Sequence, residues 1–183
     1  MRSEPARRLG GLAAELNGPD GPLAMIDTAG VIGALREVEL ALFGWLGRSA
    51  PSSSSPEEVV WASSASLRAA WRARELETLL PVSVGLVPDA AVSPLSSAAI
   101  GSLASLMSAV GERAGESDGG EAPLPETAAA LYEVLASAYD FRLERLSRAA
   151  DGPLERVLCR VATDLQAEQA TVRRLGKQPG RGA

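Results

Sequence analysis

The side chains able to do chemistry in this chain are mostly carboxylates set where apolar residues belong. Glu39 follows Leu35 by four and precedes Leu42 by three, with Phe43 beside it, so a helix here turns the carboxylate toward its apolar side. Asp164 and Glu168 stand one helical turn apart along a second stripe: Leu154, Val157 or Leu158, Val161, Leu165, Glu168, Val172 and Leu175. Tyr139 falls among the inner positions of a third helix, with Ala128, Leu131, Leu135, Ala138 and Leu146. Arg74 is out of character in the stripe Val60, Ser64, Leu67, Trp71, Arg74 and Thr78. A long cation there either snorkels to water or meets an acid inside, because burying it unpaired costs too much.

The chain contains no histidine, the commonest metal ligand and the usual base near neutral pH. Any catalysis would therefore fall to Glu39, Tyr139, Asp164 and Glu168, as metal-free acid–base groups or as oxygen ligands for a hard cation such as Mn or Mg. The single cysteine, Cys159, excludes an internal disulfide, fits a reducing compartment, and is read as a packing residue.

These residues need helices to position them. Ser55, Pro56 and Glu58 form a cap, a first-turn proline and a capping-box acid, and Pro81 gives the stop, which predicts one long helix over 55–81. The spacing predicts three more long helices, over 22–48, 125–150 and 153–176, and a shorter one from Ser93 and Pro94 to about residue 113. The shorter helix takes Ile100, Leu103, Leu106 or Met107, and Val110 as its apolar face. The Ser-rich stretch 49–56 and the Asp151-Gly152 turn are short connections, whereas 81–124 is a long one. Two αα-hairpins joined by a long crossover containing a short extra helix are thus expected, a layout that simple up-and-down bundles lack. Residues 1–20 read as a flexible arm, 21–176 as the helical bundle and 177–183 as a flexible tail. Trp45 and Trp61 either face each other across the first hairpin or mark an association patch.

Composition agrees with an all-α class. The chain has 183 residues, 46% hydrophobic but only 4% aromatic, enough for one core of closely packed helices. A net charge of −5 gives no electrostatic reason to expect nucleic acid or an anionic membrane as partner. The amino terminus lacks the apolar core of a secretory signal and no stretch suits a membrane span, so a cytoplasmic location is expected.

Three stretches carry a resemblance: REVELALFGWLG on the first long helix, Ala70-Trp71 ahead of Leu80-Pro81, and AYDFRLERLSRAADGPLERVL across the last turn. Together, over about 31–175, they resemble bacterial ferritin-like four-helix bundles, in outline the di-iron tRNA-hydroxylase branch. That resemblance implies two metals held by a Glu from each of two helices and a Glu-x-x-His pair from each of the others. This chain has no Glu-x-x-His. Glu39 looks like the surviving first-helix carboxylate, Asp164 or Glu168 the last-helix remnant, while the second helix reads Leu67, Arg68, Ala69, Ala70, Trp71, Arg72, Ala73 and Arg74.

The resemblance therefore implies a degenerate member without di-iron, with no cofactor expected. Arg74, with Arg72 or Arg142 as substitutes, would supply the metals' positive charge by pairing with Glu39 and Asp164 or Glu168, so that Arg74→Ala costs more than Arg68→Ala. The expected function is a non-redox accessory, scaffold or regulatory subunit, as a homodimer or a heterodimer with a ferritin-like relative. One alternative is a ferritin-like oxidoreductase or metal-free enzyme using the interior carboxylates. Another is a bundle that binds a small apolar ligand in the vacated site among Phe43, Trp71, Leu135 and Tyr139.

Overall fold

The computed structural model describes residues 4–18, 25–53, 55–80, 95–108, 124–147 and 151–176. Among them all regular structure is helical: α1 Glu4–Asn17, α2 Met25–Ser49, α3 Pro56–Glu77, α4 Ser97–Ser108, α5 Leu124–Leu143 and α6 Gly152–Leu175, with a 3-10 turn at Ala50–Ser52 after α2. The long helices α2 and α3 pack on each other, as do α5 and α6, and α3 also meets α6. No helix among the described residues is long and apolar enough to cross a membrane.

Local chemistry explains the helix ends. Ser55 is extended, at φ −114° and ψ 133°, and its hydroxyl accepts from the Glu57 amide at 3.2 Å. Pro56 then starts α3, and Glu57 and Glu58 lie at its positive end. The Asp151 carboxylate accepts from the Ser147 amide at 2.9 Å, closing the connection into α6, which carries Pro153 in its first turn and Arg173 and Arg174 in its last. The carboxy-terminal residues 177–183 and the stretches 81–94 and 109–123 of the expected crossover lie outside the described residues.

The expected inner faces of α2, α5 and α6 hold: Ile32, Leu35, Glu39, Leu42 and Leu46 are buried, as are Leu131, Leu135, Tyr139, Leu158, Val161, Leu165 and Val172. On α3 the expected face is wrong. Its buried residues are Trp61, Ala62, Ala65, Ser66, Ala69, Arg72, Ala73 and Leu76, while Val60 and Leu67 are exposed at 67% and 70%. The reason is backbone proximity. A Cβ on Gly47 would stand 3.1 Å from Ser66 Oγ, and that hydroxyl donates to the Phe43 carbonyl at 2.8 Å. A gap this narrow admits alanine and serine at the crossing, and Val60 and Leu67 turn outward, while Trp61, Arg72 and Leu76 fill the interior beyond it.

The reading of 1–20 as a flexible arm is corrected over α1. Leu12 and Leu16, one turn apart, are buried, and α1 packs against α5, α4 and α2. Polar contacts fix both sides of it. Glu15 accepts from the Ser96 amide at 2.9 Å at the start of α4, and Arg142 of α5 donates to the Asn17 carbonyl. Gly18 follows with φ +63°, where a Cβ would meet Val31 Cγ2 at 2.6 Å, so glycine is required to end the helix against α2.

In α4, Leu103 and Met107 are buried as expected, but Ile100 is exposed. Trp45 and Trp61 are buried and mark no exposed association patch. Trp45 Nε1 donates to the Met107 carbonyl at 2.9 Å, tying α2 to α4, and Trp61 Nε1 donates to Glu168 Oε2 at 3.3 Å, tying α3 to α6. Cys159 is exposed and not a packing residue.

Candidate functional site

Four helices each send a polar side chain to one interior point. Glu39 from α2, Arg72 from α3 and Tyr139 from α5 have no solvent exposure, and Asp164 from α6 is 23% exposed. Arg72 grips Glu39 with two parallel hydrogen bonds, Nε to Oε1 at 2.8 Å and Nη2 to Oε2 at 2.9 Å. Its remaining terminal nitrogen, Nη1, donates to Asp164 Oδ2 at 2.6 Å. Tyr139 Oη donates to Glu39 Oε1 at 2.7 Å. One turn along, buried Glu168 pairs with Arg68 and accepts from Trp61.

This centre is one rung of a ladder between α3 and α6. Arg68 meets Glu168, Arg72 meets Asp164 and Glu75 meets Arg160, so rising numbers on one helix match falling numbers on the other. Arg160 also lies over the Trp71 ring at 5.9 Å. The fork of an arginine suits a carboxylate in a way that a lysine does not, because its donors are planar and spaced to match the two oxygens.

Electrostatics favour the charged arginine. Burial alone would lower the Arg72 pKa, but Glu39 opposes it through its charge and hydrogen bonds, and the net result is a pKa above the ordinary arginine value. Burial raises the Tyr139 pKa well above 10.0, and the Glu39 carboxylate raises it further. Burial, then the charge of Glu168, likewise raises that of Tyr132, whose hydroxyl has no hydrogen-bond partner among the described residues. Both tyrosines are therefore neutral at ordinary pH, and Tyr139 keeps the proton that it donates to Glu39.

The arrangement suits charge neutralisation better than acid–base work. Glu39 has both oxygens held by fixed donors, so taking a substrate proton would mean giving up part of the fork. A metal bridging Glu39 and Asp164 does not fit, because the Arg72 guanidinium already spans them and two like charges would share the site. Among the described residues, no group of three or more His, Cys, Asp and Glu is placed to hold a metal ion.

Glu39, Tyr139 and Asp164 thus come together as expected, with Glu168 one turn away. The arginine is the expected substitute, Arg72, and not Arg74. Arg74 is exposed on α3 and Arg72 takes the interior place, since the face that meets α2 and α6 is the alanine face. The expected order of Arg74→Ala and Arg68→Ala reverses accordingly, because Arg68 pairs with buried Glu168. Arg142 is buried but serves the end of α1. Of the four expected pocket residues, Leu135 and Tyr139 are interior, whereas Phe43 and Trp71 are 42% and 37% exposed. Arg68, Trp61 and Tyr132 were not expected at the site. For Arg68 the signal was available: Arg68 and Arg72 are four apart, as are Asp164 and Glu168 on an antiparallel helix.

No family model, curated protein or solved structure matches the chain.

Proposed function

We propose that this chain is a ferritin-like four-helix bundle in which a guanidinium stands where such bundles keep two metals, and that it works as a non-redox accessory, scaffold or regulatory subunit through association. The observation that carries the reading is Arg72, wholly buried and bonded to Glu39 on one side and Asp164 on the other. The order of long helices supports it: α2 and α3 form one packed pair, α5 and α6 another, and the long connection between the pairs includes α4. Association is supported by apolar side chains left outside the core, namely Leu40 and Phe43 on α2 and Val60, Leu67 and Trp71 on α3.

In this reading Arg72 replaces a requirement for metal loading with a built-in positive charge, and Tyr139 orients Glu39 toward it. The interior is then complete without cofactor, and biological output depends on what the surface holds.

Native mass spectrometry of the protein expressed with added iron and manganese tests both parts. The expected spectrum is a metal-free assembly of two or more chains. Two metals per chain would overturn the substitution of metal by arginine, and a lone chain that captures no partner would overturn the association role.

A further inference from the structure

The outward face of α3 has a periodic pattern unrelated to the core. Glu57, Val60, Ser64, Leu67, Trp71 and Arg74 recur at intervals of three, four, three, four and three, the seam spacing of a helix that pairs with another helix. This seam points away from the interior: Val60 is 67% exposed, Leu67 70% and Trp71 37%, and both end charges are exposed. Seam residues normally lie buried against a partner helix, and leaving three large apolar side chains along one line in water is unusual for a finished surface.

The intervals read the same from either end. Set antiparallel to a copy of itself, the seam brings Glu57 against Arg74, Val60 against Trp71, and Ser64 against Leu67. A two-fold axis then repeats each pair. Every charge meets its opposite, the largest side chain meets a medium one, and leucine meets the smallest. A parallel copy would instead stack Glu57 on Glu57 and Arg74 on Arg74, placing like charges together twice. The acidic first turn and basic last turn of α3 add a favourable end-to-end alignment in the antiparallel arrangement.

We infer that the α3 seam docks a second copy of this chain, antiparallel about a two-fold axis near residues 65 and 66, with Glu57 of each copy paired to Arg74 of the other. This names the partner for the association role proposed above and rests on that part of it; it does not depend on how the interior handles metals.

Sedimentation velocity on the full chain across a range of concentrations, with circular dichroism to confirm folding, tests the register. The wild type is expected at twice the 18.9 kDa chain mass. Glu57→Arg and Arg74→Glu, each alone, set two like-charge contacts in the dimer and are expected to weaken it by about tenfold or more. The two substitutions combined restore opposite charges and are expected to return the dimer. Leu67→Asp should give a folded monomer. A dimer indifferent to all four variants overturns this seam while leaving self-association through another face. A wild-type monomer at every concentration overturns the seam and self-association together, and single variants that weaken the dimer without rescue by the combination overturn the antiparallel register.

Discussion

Removing the Arg72 guanidinium leaves Glu39 buried with Tyr139 as its remaining donor, and a carboxylate so placed must lose its charge or unfold its surroundings. Breaking a buried pair from one side costs about 3–5 kcal/mol, and this is the expected effect of Arg72→Ala in urea denaturation. Arg74→Ala, on the exposed face, is expected to change stability by less than about 0.5 kcal/mol. Equal effects would place the charge centre elsewhere. The tyrosines give a pH prediction. Both have folded pKa values raised above the ordinary 10.0, so the native state keeps protons that the unfolded chain releases. Their stabilisation is full below pH about 10 and is lost as pH rises from there toward the folded values. Tyr132 and Tyr139 are the two tyrosines of the chain, so absorbance of the phenolate reports only these sites. It should stay low in folded protein above pH about 10 and jump on unfolding.

Among the elements, α1 is short but packs against three other helices. It lies against α5, α4 and α2, buries Leu12 and Leu16, and receives Arg142 at its end. Leu16→Ala is therefore expected to cost about 2–5 kcal/mol in thermal or urea unfolding, the range for truncating a core leucine. A loose arm would give almost no change. Gly18→Ala tests the junction: the positive φ alone costs about 1–2 kcal/mol, and the Val31 methyl in the way adds to it. The α3–α6 ladder behaves differently along its length. Arg160 is more than half exposed, so its pair with Glu75 contributes little, whereas on the Arg72 rung the guanidinium is wholly buried and the Asp164 side chain is 23% exposed, so solvent screens that pair less.

For the molecule as a whole, the cross-ties predict one cooperative unit. Trp45 joins α2 to α4, Trp61 joins α3 to α6, Glu15 joins α1 to the start of α4, and the Arg72 centre joins α2, α3, α5 and α6. No helix can leave without exposing polar groups that the others satisfy. Helix content by circular dichroism and tryptophan fluorescence are expected to report the same urea midpoint. Two separate transitions would show that the α2–α3 and α5–α6 pairs melt independently.

Much of the architecture was legible in the sequence because it depends on local rules. The cap and proline at Ser55-Pro56 and the turn and proline at Asp151-Gly152-Pro153 set helix starts, and apolar spacing placed Glu39, Tyr139 and Glu168 on inner faces without reference to any neighbour. The face of α3 could not be obtained that way. Ranking positions by hydrophobic size selects Val60, Leu67 and Trp71, yet the close approach of α2 at Gly47 and Ser66 selects alanine, and only packed backbones contain that distance. The same rotation decides the chemistry, putting Arg72 inside and Arg74 outside. Helix α1 was missed for a related reason: three leucines among Gly and Arg make a weak local signal, and the burial of Leu12 and Leu16 depends on a groove built by α2, α4 and α5. Local rules in the chain thus say which residues can be helical and which charges lie among apolar ones. Which of those charges meet follows from the packing of the helices, because it depends on how near one backbone can come to another.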